Sequence, residues 1–312
     1  MGALIDADTR TFIQVTEVWV PEDGKLKLAG GNYGDLTDFA AASNKTEFEK
    51  GEGLPGRAWA EARPVVFKSL AKPEFLRAEA AKEAGLTSAV AIPLFDRDEL
   101  KSVLVVLCSD SEERIGAIES WKAEDGLLML DDGYYGAARH FEFVSQHTHF
   151  PSGQGLPGGV FAALTPILMR DLGSSYAFVR ADSAGKAGLT TGLGLPIPVP
   201  EGAPYVLTLL SARGTPIARR FEIWDARDAK VGKANEAELI DGICANEGPL
   251  WTGEAEPPRR VAAWQGLIGR VLGTGLPVVE ADVPGIPGGY SSIVALPIHA
   301  RGELSHIVAW YV

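Results

Sequence analysis

Residues 51–66 read GEGLPGRAWAEARPVV, and the chain carries two further versions of this stretch. Residues 153–168 read GQGLPGGVFAALTPIL, and residues 265–279 read QGLIGRVLGTGLPVV. Each version gives a Gly-Leu-x-Gly motif, a short apolar segment, and then a proline that leads into a brief aliphatic run. The apolar segment predicts a short helix, and the proline after it predicts the start of a strand. Three versions of one motif indicate a repeated architecture.

Other landmarks recur in the same order around each version. A Glu-x-Trp motif lies upstream at residues 17–19, 119–121 and 222–224, so that successive glutamates are 102 and 103 residues apart. A proline-containing apolar segment lies downstream at residues 91–94, 194–197 and 295–298. A period of this length fits a small domain rather than a helical or blade repeat. We therefore predict three tandem domains, which are called repeats 1, 2 and 3: residues 1–110, 111–215 and 216–312.

Bulk properties narrow the class of protein. The chain has 312 residues, of which 46% are hydrophobic, and this is enough for several separate cores. A net charge of −12 argues against non-specific nucleic-acid binding, which needs clustered Lys and Arg. No apolar run reaches the roughly 18 residues that span a bilayer, and the N-terminus lacks a signal-peptide pattern. With only two cysteines, the composition predicts a cytoplasmic protein without nucleic-acid or membrane partners.

Local patterns predict the elements of each repeat. In repeat 1 we expect a hairpin that contains Glu-x-Trp, a helix at 35–42, a helix within 73–85 and two final strands at 87–95 and 100–109. Repeat 2 follows the same order. Repeat 3 has only 12 residues from Pro277 to Gly289, where repeat 1 has 21 from Pro64 to Gly85. The sequence therefore predicts that repeat 3 lacks the second of these helices.

Together these motifs resemble those of the GAF domain family. The resemblance rests on the Glu-x-Trp hairpin, the run Gly-x-Gly-Leu-Pro-Gly-Arg-x-Trp at 51–59, and Arg-x-x-x-Ala-x-x-x-Gly-Leu at 77–86. It is closest to the GAF modules of bacterial sensor kinases, is strong over 12–109, and weakens in repeat 3. It implies an α+β chain of three tandem GAF-like domains, each an antiparallel sheet of five to six strands with short helices on its faces. The long flanking helices and the output domains of sensor kinases have no counterpart here.

The resemblance also implies a small-molecule pocket between the sheet and the segment that follows the Pro-Val strand, which we call the lid segment. Arg77 and Arg180 in the two lid segments can each hold a carboxylate or phosphate through a bidentate pair, and the alternative is a solvated helix residue. The expected lining residues of repeat 1 are Phe48, Phe67, Ser69, Phe75, Arg77 and Ser88. Their counterparts in repeat 2 are Phe150, Met169, Asp171, Phe178, Arg180 and Thr191.

The glycine loop and the two cysteines each allow two interpretations. Glycines at a helix start suit an anion, but they also permit close packing of the helix. Cys108 and Cys244 can be core residues or redox groups. The free methionine sulfoxide reductases are GAF enzymes that use several cysteines of one domain, whereas here each thiol lies in a different repeat. This favours the interpretation as core residues.

Two histidines form the remaining candidate site. His147 and His149 lie in an alternating segment, so both rings can face the same side of a strand. With His140 or Glu142 they can bind a metal, and the alternative is a pair of exposed strand residues.

We therefore expect a stand-alone, non-catalytic module that binds an unidentified small molecule and acts in signalling through a partner protein. One alternative is a protein-interaction scaffold whose pockets are collapsed. Another is a redox or metal-dependent enzyme that uses Cys108 or the His147/His149 pair. The sequence leaves both the cofactor and the oligomeric state open.

Overall fold

The computed structural model of the chain describes residues 11–110, 113–230, 235–245, 247–250, 259–281, 290 and 292–312. The elements of repeat 1 are β1 (Val15–Glu22), β2 (Lys25–Asn32), α1 (Thr37–Ser43), β3 (Phe48–Glu49), α2 (Gly53–Glu61), β4 (Val65–Phe67), α3 (Ala78–Glu83), β5 (Ser88–Asp96) and β6 (Glu99–Cys108).

Repeat 2 has the same order of elements. They are β7 (Ile115–Glu124), β8 (Leu127–Gly136), α4 (Arg139–Gln146), β9 (Phe150–Pro151), α5 (Gly155–Ala163), β10 (Ile167–Arg170), α6 (Ala181–Ala187), β11 (Leu189–Ile197) and β12 (Tyr205–Ala212).

Repeat 3 departs from this order after its first strand. Its elements are β13 (Arg220–Asp225), a 3-10 turn (Arg227–Lys230), β14 (Glu236–Cys244), β15 (Gly248–Pro249), β16 (Arg260–Ala262), α7 (Gly266–Thr274), β17 (Val278–Ala281), β18 (Ser292–Ala300) and β19 (Glu303–Tyr311). The prediction that this repeat lacks its lid-side helix falls on 282–289, which lie outside the described residues.

Each repeat forms one antiparallel sheet with the same strand connectivity. The orders are β3-β2-β1-β6-β5-β4 in repeat 1, β10-β11-β12-β7-β8-β9 in repeat 2 and β15-β14-β13-β19-β18-β17 in repeat 3, where β16 also pairs with β14. The predicted α+β class and the tandem GAF-like architecture are confirmed. The predicted helix within residues 73–85 is shorter than expected, since it covers only Ala78–Glu83.

The glycine loop serves close packing. An added Cβ on Gly56 would lie 2.0 Å from the carbonyl oxygen of Glu49, which belongs to the edge strand β3. Gly158 and Gly269 make the matching approaches, at 2.3 Å from the carbonyl oxygens of Pro151 and Ala262. Only a residue without a side chain can bring the helix this near to the edge of the sheet. The last glycine of Gly-Leu-x-Gly therefore fixes where the helix sits.

Both faces of each sheet are buried. The outer face packs against the helices of its own repeat, for example through Leu54 and Ala58 of α2. The inner faces of all three sheets meet in one shared apolar core, so the three repeats pack closely on one another. Residues of this shared core include Val90, Ile92, Leu104, Val106, Leu193, Leu195, Leu207, Leu209, Val294, Leu296, Val308 and Trp310.

The repeats also contact one another at the end of each short strand that follows the glycine-loop helix. Lys68, just after β4, pairs with Asp132 of β8 at 3.1 Å. Arg170, 102 residues further on, pairs with Asp241 of β14 and donates to the carbonyl of Gly242 at 2.9 Å. At the third junction β2 packs against β17, where a Cβ on Gly30 would lie 3.4 Å from the carbonyl oxygen of Val279. Repeat 1 thus contacts repeat 2, repeat 2 contacts repeat 3, and repeat 3 contacts repeat 1.

The shared core makes a testable prediction about isolated repeats. A fragment of residues 1–110 would expose the apolar inner face of its sheet, so we expect it to self-associate and to bind a hydrophobic dye. Size-exclusion chromatography with light scattering, with the full chain as control, measures this. A monomeric fragment that binds no more dye per residue than the full chain would contradict the shared core.

Candidate functional site

Each Glu-x-Trp motif places a carboxylate inside the core that faces the helices. Trp19 Nε1 donates to Glu17 Oε2 at 3.0 Å, and the two side chains lie on the same face of β1. The matching bonds are 3.2 Å in repeat 2 and 3.0 Å in repeat 3. In each repeat a register shift at this tryptophan breaks the regular pairing with the next strand. The glutamates are at most 2% exposed, so each needs a buried partner for its charge.

In repeat 1 the partner comes from the lid segment. Arg77, immediately before α3, is 4% exposed. Its Nη1 and Nη2 donate to the two carboxylate oxygens of Glu17, the Nη2–Oε2 distance being 3.0 Å. Nη1 also donates to Ser43 Oγ, and Ser43 donates to the carbonyl of Phe39 at 2.9 Å. Since Arg77 lies on the lid and Glu17 on the sheet, this bidentate pair ties the lid to the sheet.

Four aromatic rings surround the guanidinium of Arg77. Its carbon lies 5.3 Å from the ring centre of Trp19, 4.8 Å from Phe39, 5.7 Å from Phe48 and 5.3 Å from Phe75. At these distances each ring attracts the cation electrostatically, and more strongly because water is excluded. We call the set of Glu17, Trp19, Phe39, Ser43, Phe48, Phe75 and Arg77 the arginine cage of repeat 1.

Repeat 2 contains the same cage, residue for residue. Arg180 Nη2 donates to Glu119 Oε2 at 2.9 Å, and Nη1 contacts both Glu119 and Ser145. Thr208 adds a hydrogen bond to Glu119 Oε2 at 2.8 Å. The arginine cage of repeat 2 consists of Glu119, Trp121, Phe141, Ser145, Phe150, Phe178 and Arg180.

In repeat 3 the arginine that pairs with the buried glutamate comes from a different position in the chain. Arg220 lies two residues before Glu222 on β13, and its Nε donates to Glu222 Oε1 at 2.7 Å. Tyr311 Oη donates to Glu222 Oε2 at 2.9 Å, and Arg220 Nη1 reaches the half-exposed Glu247 at 3.3 Å. This guanidinium comes from the sheet itself, so the pair does not tie a lid segment to the sheet.

The cage of repeat 2 favours the ionised form of its buried carboxylate. Burial alone would raise the pKa of Glu119, but the Arg180 guanidinium and the hydrogen bonds from Arg180 and Thr208 hold that pKa below its usual range. The nearby phenol of Tyr33, which donates to Glu17 at 3.1 Å, has a raised pKa because of burial and the Glu17 charge, so it stays a donor.

One polar atom in each cage has no protein partner. The Nε atoms of Arg77 and Arg180 are buried, and neither makes a hydrogen bond within the described residues. Each Nε can donate one hydrogen bond, while the Nη groups donate to the carboxylate and the serine. The remaining binding capacity of each cage therefore includes the Nε–H donor beside several aromatic faces, with the arginine charge already balanced by the glutamate.

The structure brings together most of the residues that the sequence singled out. Phe48, Phe75 and Arg77 form the cage of repeat 1, and their counterparts form that of repeat 2. Phe67 joins the same core cluster, where Arg57 lies 5.9 Å from its ring centre. Ser69 lies half-buried in the lid segment and accepts a hydrogen bond from the Ala71 amide at 3.4 Å. The alternative view of Arg77 and Arg180 as solvated helix residues is wrong, since both are buried.

Ser88 and Thr191 face away from the lid. Strand residues alternate between faces, and Ser88 lies on the face of β5 that carries Val90 and Ile92 into the shared core. Thr191 alternates onto the shared-core face with Leu193. The placement of these two residues beside the lid was wrong because it ignored the alternation of strand faces. Asp171 lies at the start of the lid segment, where it is exposed in a turn with a left-handed backbone and accepts the amides of Ser174 and Ser175 with its carbonyl.

The sequence pattern also carried a signal for two further cage residues, Phe39 and Ser43, and for the neighbouring Tyr33. All three have identical residues in repeat 2, each 102 positions later. Aligning the first two repeats position by position would have found them. Ser43 lies in α1, where the sequence pattern only predicted a short helix.

The cysteine and histidine candidates have other environments. Cys108 faces the shared core, and burial raises the pKa of its thiol, which opposes formation of a reactive thiolate. Cys244 is buried with its Sγ 2.9 Å from Tyr290 Oη. The assignment of His147 and His149 to a strand was wrong. His147 caps the end of α4, where its ring packs 4.4 Å from that of Phe143. No group of metal-binding side chains occurs among the described residues.

Comparison with known proteins finds similarity over about one third of the chain. Residues 8–119 match the sequence model of a family described as the GAF domain. Similar solved structures include a GAF domain of A. aeolicus in an inactive state (21% identity, 32% of this chain, 59% of that chain, TM-score 0.26). Another is the type II free methionine-R-sulfoxide reductase of Thermoplasma acidophilum (18% identity, 31% of this chain, 62% of that chain, TM-score 0.25). A third is a GAF domain from a phosphoenolpyruvate-protein phosphotransferase of Coxiella burnetii (18% identity, 31% of this chain, 56% of that chain, TM-score 0.26).

Each of these structural matches covers about one third of this chain, which is the length of one repeat, and spans 56 to 62% of the other structure's chain. No curated protein matches the chain. Among the described residues, no helix is long and apolar enough to cross a membrane.

Removing the arginine of one cage should strongly destabilise the protein. Arg77→Met leaves the Glu17 carboxylate buried without its counter-charge, and we expect a loss of about 3–5 kcal/mol in the free energy of unfolding. The matched control is Arg57→Met, which breaks an exposed pair with Glu61 and should cost about 0–1 kcal/mol. Adding Glu17→Gln to Arg77→Met should restore part of the loss. Equal effects of the two arginine variants in urea unfolding would contradict a buried pair.

Acid should weaken the cage of repeat 2 in a defined pH range. Because the folded protein holds the pKa of Glu119 below its unfolded value of about 4.3, its ionised form stabilises the fold above that pH. The contribution is lost as pH falls through 4.3 toward the lower folded pKa. We expect Glu119→Gln to be less stable than wild type at neutral pH and to show a shallower decline below about pH 5. Parallel acid limbs for wild type and variant would contradict this, with exposed Glu124→Gln as control.

Proposed function

We propose that repeats 1 and 2 bind a small molecule at their arginine cages, since residues 8–119, which include all of repeat 1 from residue 8 onward, match the GAF domain model and repeat 2 has the same sheet order. The GAF fold supports a small-molecule binding or sensing module. The observation that carries the proposal is the identity of the two cages, each with a lid-borne arginine whose buried Nε makes no hydrogen bond to any residue that the structure describes.

In both cages the lid segment is closed over the sheet. The lid segment of repeat 1 contributes Phe75 and Arg77 to the cage, and the contacts of Arg77 to Glu17 hold that segment on the sheet. A ligand can enter when the lid segment moves and the Arg77–Glu17 pair opens. Binding then shifts the balance between closed and open lids by the difference in ligand affinity for the two states.

The charge balance of the cage selects the class of ligand. An anion that captured Arg77 would leave Glu17 buried without its partner, and breaking such a pair costs several kcal/mol. A neutral ligand avoids this penalty, because it can accept from the free Nε while the ion pair persists. The aromatic faces of Phe39, Phe48 and Phe75 favour a flat, apolar molecule. We therefore propose a neutral, planar ligand with one hydrogen-bond acceptor, in place of the carboxylate or phosphate that the sequence suggested.

We further propose that the protein acts by binding, in signalling through a partner protein, and not by catalysis. The raised pKa of the buried Cys108 thiol and the position of His147 at a helix end give no support to the enzyme alternatives. Repeat 3 lacks a lid-borne arginine in its pair, so the proposed capacity is two ligands per chain.

A second candidate function, a protein-interaction scaffold, is favoured by a specific observation. The cages are filled by their own side chains: Glu17 and Glu119 are fully buried, and each guanidinium is already within 6 Å of four rings. Such a site can be a permanent core rather than a closed pocket.

Native mass spectrometry of the protein from its own host separates the two candidates. We expect up to two bound copies of a neutral small molecule that dissociate on denaturation. Phe75→Leu and Phe178→Leu should each remove one copy, while the exposed Phe143→Leu should remove none. A bare polypeptide mass, together with no ligand-induced rise in melting temperature across a library of neutral aromatic compounds, would favour the scaffold.

A further inference from the structure

One residue of the third glycine loop has an unexpected backbone conformation. Gly51, Gly153 and Trp264 occupy matching positions, and their amides donate to the carbonyls of Gly56, Gly158 and Gly269 at 2.7, 2.8 and 2.7 Å. Their φ angles are +91°, +84° and +71°. Glycine adopts this left-handed conformation freely, but a bulky residue such as tryptophan is rarely found there. Repeat 3 thus holds a tryptophan where the other repeats have glycine.

The helix next to this residue is adapted to it. The Trp264 ring lies against Gly273 of α7, where an added Cβ would fall 2.6 Å from Cε2 of the indole. The matching positions in repeats 1 and 2 are Ala60 and Ala162, and alanine is the better helix former. Repeat 3 therefore combines two residues that locally disfavour folding: a tryptophan in a left-handed backbone conformation and a glycine within a helix. Together they lay an indole flat on the helix surface.

This indole is open to solvent. Trp264 is 68% exposed, which is far more than a tryptophan that serves the core. The charged side chains nearby on α7 and β16 are paired, Arg270 with Glu280 and Arg260 with Glu238. The patch therefore offers an aromatic face without net charge of its own. Features that disfavour folding but display an aromatic ring are typical of binding sites.

Repeat 1 shows what such a ring can hold. There Lys50, which directly precedes Gly51, places its Nζ 5.7 Å from the ring centre of Trp59 on α2. The residue that matches Lys50 in repeat 3 is Ala263, and within the described residues no Lys or Arg lies over the Trp264 indole. The whole chain carries a net charge of −12, which favours approach of a basic partner.

We propose that Trp264 anchors a protein-interaction surface on repeat 3, and that the partner presents a Lys or Arg side chain over the indole. The site is independent of the proposed ligand cages, since it lies on the glycine-loop side of repeat 3. Its occupant supplies from outside the cation that Lys50 supplies within repeat 1.

The binding test uses the full chain and two labelled peptides. One carries four arginines separated by Gly-Ser, and the other has citrulline, a neutral isostere, at the same places. At about 0.15 M salt, where long-range attraction is screened, we expect Trp264→Gly to weaken binding of the arginine peptide about 2- to 5-fold in fluorescence anisotropy. Trp264→Phe should weaken it less, and Trp59→Leu should leave it unchanged. Equal affinities of wild type and Trp264→Gly, or the same loss with the citrulline peptide, would overturn the proposal.

The melting temperature of variants tests independently whether Trp264 serves folding or binding. Trp264→Gly combined with Gly273→Ala rebuilds the pair found in repeats 1 and 2, and we expect a melting temperature higher by roughly 2–4 °C. Gly273→Ala alone should lower it, because the new methyl group collides with the indole. If the double variant melts below wild type, the tryptophan serves folding and the proposal fails. Concentration-dependent dimers that vanish in Trp264→Gly, seen by sedimentation, would instead identify a second copy as the occupant and overturn the cationic partner.

Discussion

A buried carboxylate in each repeat constrains the rest of the fold. A glutamate that is 2% exposed or less cannot stay ionised in an apolar core without a cation and hydrogen-bond donors around it. Repeats 1 and 2 bring the cation from the lid segment, and repeat 3 brings it from the same strand. The source of the arginine therefore determines whether the lid segment is bound to the sheet. The position of this arginine distinguishes the two candidate ligand sites, in repeats 1 and 2, from repeat 3.

The second constraint is that each sheet is buried on both faces. Strands β5 and β6 are apolar on both sides because one side meets the helices and the other meets the shared core. The ion pairs of Lys68 and Arg170 lie at two of the junctions between repeats, and β2 packs against β17 at the third. Lys68 lies at the beginning of the lid of repeat 1, so the first junction borders that lid segment. The three repeats are therefore parts of one packed body.

Much of the fold could be predicted from the sequence, because the repeat supplied an internal comparison. The triplicated glycine motif and the Glu-x-Trp motif located the three sheets, and strand alternation located their hairpins. The partner of the buried glutamate could not be predicted, because Arg77 is 60 residues away from Glu17 and only the fold brings them together. The wrong face for Ser88 has a simple cause: a shift by one residue along a strand reverses the direction of the side chain. The position of His147 was misjudged because a helix of two turns hardly differs in pattern from a strand.

The most direct test of the central claim observes the two lid-borne arginines. In protein labelled with ¹⁵N-arginine, the Nε–H groups of Arg77 and Arg180 should give two signals that exchange with solvent far more slowly than that of the exposed Arg57. Arg77→Lys and Arg180→Lys should each remove one of them. If every arginine Nε–H exchanges as rapidly as that of Arg57, the guanidinium groups are open to water, and the account of closed cages that hold the lids on the sheets is wrong.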